Sequence, residues 1–280
     1  MRRKFISFTM FVFVLVLLAA CKSGDKETKA VGDGDSDVRT IKVATGHTSK
    51  PLSWVDEGGK VTGYEPEIIK ELDKIMDGYE FELVAVEDSA GETGLATGKY
   101  DMLAGGMGFT EERAKQYLVP EESNGRALIK MYVAEDSGIE TMEDVEGMKI
   151  SPLSPAGATY KAVKDWEDEN PKYQLKYDLA DVGIPIADRL KEIANGKYDV
   201  LFYPSSYGQI KIIEDQKLAV RATDPIKIIP TFFMIHKSEE NEKLKEAIDE
   251  GLRELADSGK LSELSVEFYD EDVFQYDEKQ

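Results

Sequence analysis

The phrase GKYD occurs twice in the chain, as GKYDMLAGG from Gly98 to Gly106 and as GKYDVLFYP from Gly196 to Pro204. Each copy follows a helix-like run and leads into an apolar run typical of a strand. A glycine placed there can take the left-handed backbone that ends a helix, and the aspartate opens the strand. GKYD alone is common in loops that join a helix to a strand. The two copies also share a helix-like run before them and a strand-like run after them, and this similarity predicts two lobes of the same architecture.

Strand-like and helix-like runs alternate over residues 39–280, which predicts a mostly parallel sheet flanked by helices in each lobe. Strand-like runs are IKVAT (41–45), YEFELVAV (79–86), ALIKMYVA (127–134), YQLKYDL (173–179) and KIIPTFFMIH (227–236), and MKISPL (148–153) begins the second series. Helices are predicted over 66–76, 158–169 and two C-terminal segments. Ligands of open α/β sheets bind beyond the carboxyl ends of the strands, so GGMGFTEER and YPSSYG, which follow the two GKYD copies, are expected to face one cleft.

The N-terminus has the pattern of a secretory signal: Arg2, Arg3 and Lys4, a short apolar run, and small residues before Cys21. The apolar run is shorter than the roughly 20 residues that span a bilayer. Its end, LAAC, resembles the lipobox of bacterial lipoproteins, which implies a signal peptide over 1–20 and a lipidated Cys21. Residues 21–38 are polar and predict a flexible tether. The alternative is an uncleaved anchor with an incidental cysteine.

The composition of the chain disfavours several classes of function. The formal net charge of −20 disfavours binding to nucleic acid or to anionic lipid headgroups. Cys21 is the single cysteine, so no intramolecular disulfide is possible, and with His47 and His236 as the two histidines no transition-metal cluster is expected. No cofactor is expected either.

The stretch GGMGFTEER, from Gly105 to Arg113, carries the most chemical information. Its glycines let the backbone approach a ligand closely. Thr110 can cap a helix that begins at Glu111, and Arg113 could reach back to the strand end and offer a planar, bidentate site to a carboxylate. Spacing alone leaves a surface ion pair of Arg113 as the alternative.

In these motifs the chain resembles the extracytoplasmic solute-binding proteins of ABC importers, in particular the polar amino-acid-binding group. The resemblance runs from IKVATGHTSKPLSWVDEGGKVTGYEPEI through GKYDMLAGGMGFTEERAK, IETMEDVEGMKI and AGATYKAVKDW to ADSGKLSELSVEFY. It implies an α/β fold: a two-lobed, type II periplasmic-binding-protein clamshell. Lobe 1 would comprise 39–131 and 229–275, lobe 2 would comprise 132–228, and 276–280 would be a C-terminal tail.

The resemblance also implies a ligand-binding site. The carboxylate-binding arginine of the family falls on Arg113, with Gly108 beside the carboxylate and Gly106 beside the ligand ammonium. Ala158 and Thr159 fall on a helix start that offers N–H groups and a hydroxyl, which suits an anion. Trp54 lies where the family places an aromatic residue against the ligand, the alternative being a core tryptophan under the hairpin predicted over 53–65.

This sequence departs from the family at the residue that usually pairs with the ligand ammonium. Pro204 stands there, with Ser205 beside it. A buried ammonium without a carboxylate is costly. Either another acid takes its place, with Glu87, Asp88 and Glu92 as candidates, or the ligand is an organic carboxylate or a modified amino acid.

The resemblance therefore implies a non-catalytic receptor that captures an amino acid or related small carboxylate outside the cell. It would close on the ligand by hinge motion and deliver it to an ABC permease. The protein is expected to be a monomer, anchored to the bacterial membrane by lipid on Cys21. The alternatives are a sensory ligand-binding lipoprotein and, on the same fold, a cyclohexadienyl-dehydratase-like enzyme, for which no catalytic pair has the required spacing.

Overall fold

A computed structural model of the protein describes residues 38–155, 157–180 and 183–276. The predicted signal peptide, Cys21, the tether up to residue 37 and residues 277–280 lie outside the described residues. The described residues form one compact unit.

Helices and strands alternate as the sequence predicts. The strands are β1 (Arg39–Gly46), β2 (Thr48–Ser49), β3 (Ser53–Val55), β4 (Val61–Thr62), β5 (Tyr79–Val86), β6 (Met102–Gly108), β7 (Tyr117–Leu118), β8 (Gly125–Ala134), β9 (Val200–Pro204), β10 (Val220–Ala222) and β11 (Lys227–His236). The helices are α1 (Tyr64–Ile75), α2 (Asp88–Ala96), α3 (Glu111–Gln116), α4 (Ala158–Glu169), α5 (Ile186–Ala194), α6 (Gln209–Gln216), α7 (Glu239–Asp257) and α8 (Lys260–Tyr269). Within the described ranges, no helix combines the length and apolar character needed to cross a membrane.

The main sheet has the order β10-β8-β11-β6-β1-β5, with β9 paired to β8 and β7 to β11. Strands β5, β1 and β6 are parallel, as predicted. Strand β11 runs antiparallel to both β6 and β8, and β9 and β10 run antiparallel to β8. The parallel arrangement thus describes the first half of the sheet, while the half built on β8 is antiparallel.

The two GKYD copies have equivalent roles. Gly98 and Gly196 have φ values of 72° and 70°, the left-handed backbone predicted for a helix end. The Asp101 carboxylate accepts the Lys42 N–H at 3.0 Å, and the Asp199 carboxylate accepts the Lys149 N–H at 2.7 Å. Each copy therefore ends a helix. Its aspartate also bonds the start of the next strand to a neighbouring segment, which contains Lys42 in one case and Lys149 in the other.

Two of the hydrophobic cores mark the two halves of the molecule. One, built on α1, α7 and α8, includes Leu128 of β8 and Ile228 of β11. The other, built on α4 and β9, includes Met131 of β8, and Ile226 packs against it. We call the parts around these cores the first lobe and the second lobe. Strands β8 and β11, the hinge strands, pass from one core to the other.

The segment after α8 returns to the back of β8. Glu271 forms an ion pair with Lys130, and the two side chains are 8% and 5% exposed. The Tyr276 hydroxyl donates to the same Glu271 carboxylate at 2.7 Å. This triad joins a C-terminal segment of the first lobe to the hinge strand where it enters the second lobe.

Two expected strands of the second lobe are reduced to isolated bridges. MKISPL contributes a parallel bridge from Ile150 to Val200, and YQLKYDL contributes one from Leu179 to Leu153. Pro152 interrupts the ladder because it has no N–H to donate. The flanking N–H groups of Ser151 and Leu153 donate to Val200 and to Asp178, so the chain changes partners at the proline.

Candidate functional site

A cavity of about 600 Å³ lies between the two lobes. Its floor is one face of the hinge strands, formed by alternate residues: Ala127, Ile129, Lys227, Ile229 and Thr231. The loop after β6 closes one side, and α4 with the turn after β9 closes the other. The ends of both strands that follow GKYD therefore meet at one cavity, as predicted.

The glycine-rich loop supplies Arg113. Thr110 caps α3 as predicted, since its hydroxyl accepts the Arg113 N–H at 3.1 Å. The half-buried Arg113 side chain turns back to the strand end, where Nη1 donates to the Gly108 carbonyl at 2.7 Å. Gly106, Gly108 and Arg113 all line the cavity. A guanidinium carries five N–H donors, so this contact leaves others to offer to a carboxylate.

The backbone of Gly106 is hydrogen-bonded to the buried side chain of Glu65. Its φ of 62° suits glycine, and its N–H donates to both carboxylate oxygens of Glu65, at 3.1 and 3.2 Å. The Asn124 amide donates to the same carboxylate at 2.8 Å. Burial raises the pKa of Glu65 to about 7, and these two hydrogen bonds oppose the rise. Glu65 lies in the first turn of α1, and nothing in the sequence indicated its burial.

The raised pKa of Glu65 predicts a stability that falls as pH rises. The folded state holds the proton between the ordinary carboxyl pKa and about 7, whereas the unfolded chain releases it. Its contribution should therefore fall by roughly 3 kcal/mol from about pH 4 to about pH 8. We expect Glu65→Gln to flatten the pH profile of the unfolding free energy by that amount. Urea unfolding across this range measures it.

The control for this prediction is Glu82→Gln, which changes an exposed carboxylate of β5. It should leave the pH profile parallel to that of the unaltered protein. The interpretation fails when the Glu65→Gln and unaltered profiles are themselves parallel.

The second lobe presents helix α4 to the cavity. Ala158 lines it at the first helical position, followed by Lys161, Ala162 and Asp165 at helical spacing. The Lys161 ammonium contacts both Asp165 oxygens at 2.8 Å. Thr159 is half-buried and is not among the described residues that line the cavity. Its backbone N–H still belongs to the helix N-terminus, where anions are favoured.

Of the remaining residues predicted to bind the ligand, some line the cavity and others do not. Pro204 lines the cavity, whereas Ser205 is buried and Trp54 lies outside the described lining. The Trp54 ring packs edge-on against Phe268, with centroids 6.1 Å apart, and the Lys50 ammonium lies 5.0 Å from its centre. Trp54 is half-buried in β3, and its role in ligand binding stays a prediction.

Two carboxylates line the same cavity as Pro204, where the family's acid is missing. Asp88 comes from the first lobe and Asp165 from the second. Of the other candidates, a carboxylate oxygen of Glu87 lies 3.3 Å from His47 Nε2, and Glu92 lines a separate depression. Among the three acids named from the sequence, Asp88 is the one that borders the cavity.

Two exposed aromatic side chains border the cavity and were not identified from the sequence. Phe109 is 57% exposed in the first lobe and Tyr207 is 49% exposed in the second. Exposed aromatics at the mouth of a cleft are available to cover a ligand. Phe109 lies inside the glycine-rich stretch, between Gly108 and the helix cap Thr110. That position in the sequence could have identified it as a residue of the site.

Comparison with known proteins identifies the family. The family model of bacterial extracellular solute-binding proteins, family 3, matches residues 41–271. The chain belongs to this family.

Relatives of this solute-binding protein are similar over nearly their whole length. The L-cystine-binding protein TcyK of Bacillus subtilis is 26% identical over 272 residues, which cover 95% of this chain and 96% of TcyK. The solved structure of the "probable amino-acid ABC transporter extracellular-binding protein ytmK" from Bacillus subtilis has a TM-score of 0.70 and 26% identity, covering 82% of this chain and 97% of that one.

The two-lobed fold is also that of a more distant neighbour. The L-cystine solute receptor of Neisseria gonorrhoeae, solved in an unliganded open conformation, has a TM-score of 0.69 at 20% identity, covering 85% of this chain and 95% of the receptor. Together these comparisons confirm the predicted family, the type II fold and a binding protein in place of an enzyme. The extracellular family agrees with the predicted extracytoplasmic location.

Proposed function

We propose that this solute-binding protein captures an amino acid or a related small carboxylate and delivers it to an ABC permease. The observation that carries the proposal is the position of Arg113 in the cavity wall opposite the N-terminus of α4. One carboxylate could then receive N–H donors from both lobes, which favours the closed form. The relatives named for binding cystine support an amino-acid-like ligand.

The ligand ammonium would be received by the Gly106 carbonyl and by a carboxylate. Asp88 and Asp165 border the cavity and replace the acid that the sequence lacks at Pro204. Asp165 already pairs with Lys161, so Asp88 is the stronger partner. In this arrangement an α-amino acid would have both of its charges matched.

Closure would take place within the hinge strands. Their core contacts change between Leu128 and Met131 and between Ile226 and Ile228, so a twist there moves one core against the other. The domain boundaries expected from the sequence, 131/132 and 228/229, lie beside these positions. On the membrane side, Cys21 would carry the lipid that holds the receptor near its permease.

The proposal is tested on the purified protein in two measurements. Mass spectrometry identifies any small molecule that copurifies, and calorimetry measures binding of the common amino acids and of simple carboxylates. We expect at least one compound with a carboxylate to bind with micromolar or better affinity. Binding confined to compounds without a carboxylate would contradict the proposal.

A further inference from the structure

We propose that the cavity holds a second anionic group at Lys227, so that the ligand carries a negative group at each end of a short spacer. This inference rests on the proposed function and narrows its ligand to dicarboxylates, including amino acids with an acidic side chain or a second carboxyl-bearing head.

The charge of the cavity is opposite to that of the whole protein. Among the described residues that line it, five side chains are cationic and two are carboxylates, whereas the chain has a formal net charge of −20. The cationic residues are Lys50, Arg113, Arg126, Lys161 and Lys227, and the carboxylates are Asp88 and Asp165. A cleft with an excess of one sign raises the local concentration of ligands of the other sign.

Three of the five cations already have partners in the protein. Lys161 pairs with Asp165, the Arg126 guanidinium donates to the Tyr276 carbonyl at 2.6 Å, and Lys50 lies over the Trp54 ring. In the part of the chain that the structure describes, no ion pair or side-chain hydrogen bond involves the Lys227 ammonium. Arg113, assigned above to the first carboxylate, contacts the Gly108 carbonyl and keeps further N–H donors. Lys227 is the lining cation that can receive a second anionic group without giving up a contact to the described residues.

The two cations stand at opposite ends of the floor. Thr231 of β11 pairs with Gly108, whose carbonyl holds Arg113. Lys227, four residues earlier on the same strand, pairs with Ile129, which on its other side faces Pro204. Four residues of extended strand separate the two Cα positions by about 13 Å.

The floor between these ends is apolar. Ile229 lies between Lys227 and Thr231 on the same face of β11, and Ala127 pairs with it from β8. No charged side chain projects from this central pair. The cleft thus offers a cation at each end and an apolar middle, which fits a ligand with two anionic groups joined by carbon atoms.

The Lys227 side chain is exposed at the start of β11, so a ligand with one carboxylate leaves its charge solvated. A second carboxylate on the ligand can pair with this ammonium and add a charge-assisted hydrogen bond between ligand and hinge. The structure therefore predicts a preference for the dianionic member of any matched pair of ligands.

Calorimetry on matched pairs of amino acids tests this inference. The probes are L-norvaline against L-glutamate and L-2-aminoheptanoate against L-2-aminopimelate, which differ within each pair by the terminal carboxylate. We expect at least one dicarboxylate to bind ten-fold or more tightly than its partner. Lys227→Gln should remove that preference while changing the affinity for a monocarboxylate by less than two-fold, and Lys227→Arg should restore most of it.

Lys42→Gln, which alters an exposed lysine of β1 outside the cavity lining, is the control and should leave all affinities unchanged. Equal affinities within both pairs, or an equal loss for both members in Lys227→Gln, would overturn the second subsite. Micromolar binding of a common monocarboxylate amino acid in that case keeps the proposed function. Absence of binding by every carboxylate compound would remove both.

Discussion

Replacement of Arg113 by glutamine is expected to weaken binding of the carboxylate ligand by at least about 100-fold. The guanidinium is half-buried, lines the cavity and is held at the Gly108 carbonyl, so it is positioned before the ligand arrives. Truncating one partner of a hydrogen-bonded charge pair costs about 2–5 kcal/mol, and 100-fold corresponds to about 3 kcal/mol. Calorimetric titration with the ligand identified by mass spectrometry provides the measurement.

The matched control is Lys115→Gln in the same short helix. Lys115 is exposed and is absent from the described lining of the cavity, so its loss changes the net charge equally without touching the ligand. Its effect should be under two-fold. An affinity of Arg113→Gln within two-fold of the unaltered protein would refute the site.

The second large effect is expected at the back of the hinge, where Lys130→Met should lower the free energy of unfolding by about 3–5 kcal/mol. Methionine retains most of the length of the side chain but removes the ammonium, and the Glu271 carboxylate, 8% exposed, loses its counter-ion. The remaining Tyr276 hydroxyl cannot neutralise that charge. Urea unfolding of the ligand-free protein, followed by circular dichroism, measures the loss.

Two further variants separate this cause from a general effect of losing a lysine. The double variant Lys130→Met with Glu271→Gln should regain most of the stability because no buried charge is left. Lys260→Met removes a lysine from a pair with Glu263, whose carboxylate is 65% exposed, and should cost less than about 1 kcal/mol. A double variant no more stable than Lys130→Met alone would contradict this account.

Much of the fold follows from local patterns in the sequence. YEFELVAV and KIIPTFFMIH coincide with β5 and β11. Runs rich in β-branched and aromatic residues and bounded by turn residues favour strands. Thr110 and the glycines of GKYD also act as predicted, since caps and left-handed residues depend on the adjacent backbone alone. MKISPL is the exception: the proline breaks its ladder, and its strand-like composition could not show this.

The site was predicted less completely. The glycine-rich stretch located one wall because the chemistry of Arg113 and the glycines is concentrated in nine residues. Asp165, Tyr207 and Lys227 were not identified, since each becomes part of the site through the packing of two lobes. Glu65 is the clearest case: only the tertiary structure buries it beneath Gly106 and moves its pKa to about 7.

The central position of β11 also determines when the protein can fold. β11 lies between β8 and β6, yet it follows the whole second lobe in the chain. The sheet of the first lobe therefore stays incomplete until residue 236 has emerged from the ribosome, and its assembly requires contacts between residues far apart in sequence, which fold slowly. The strand at the centre of the sheet is thus the last strand that the chain supplies.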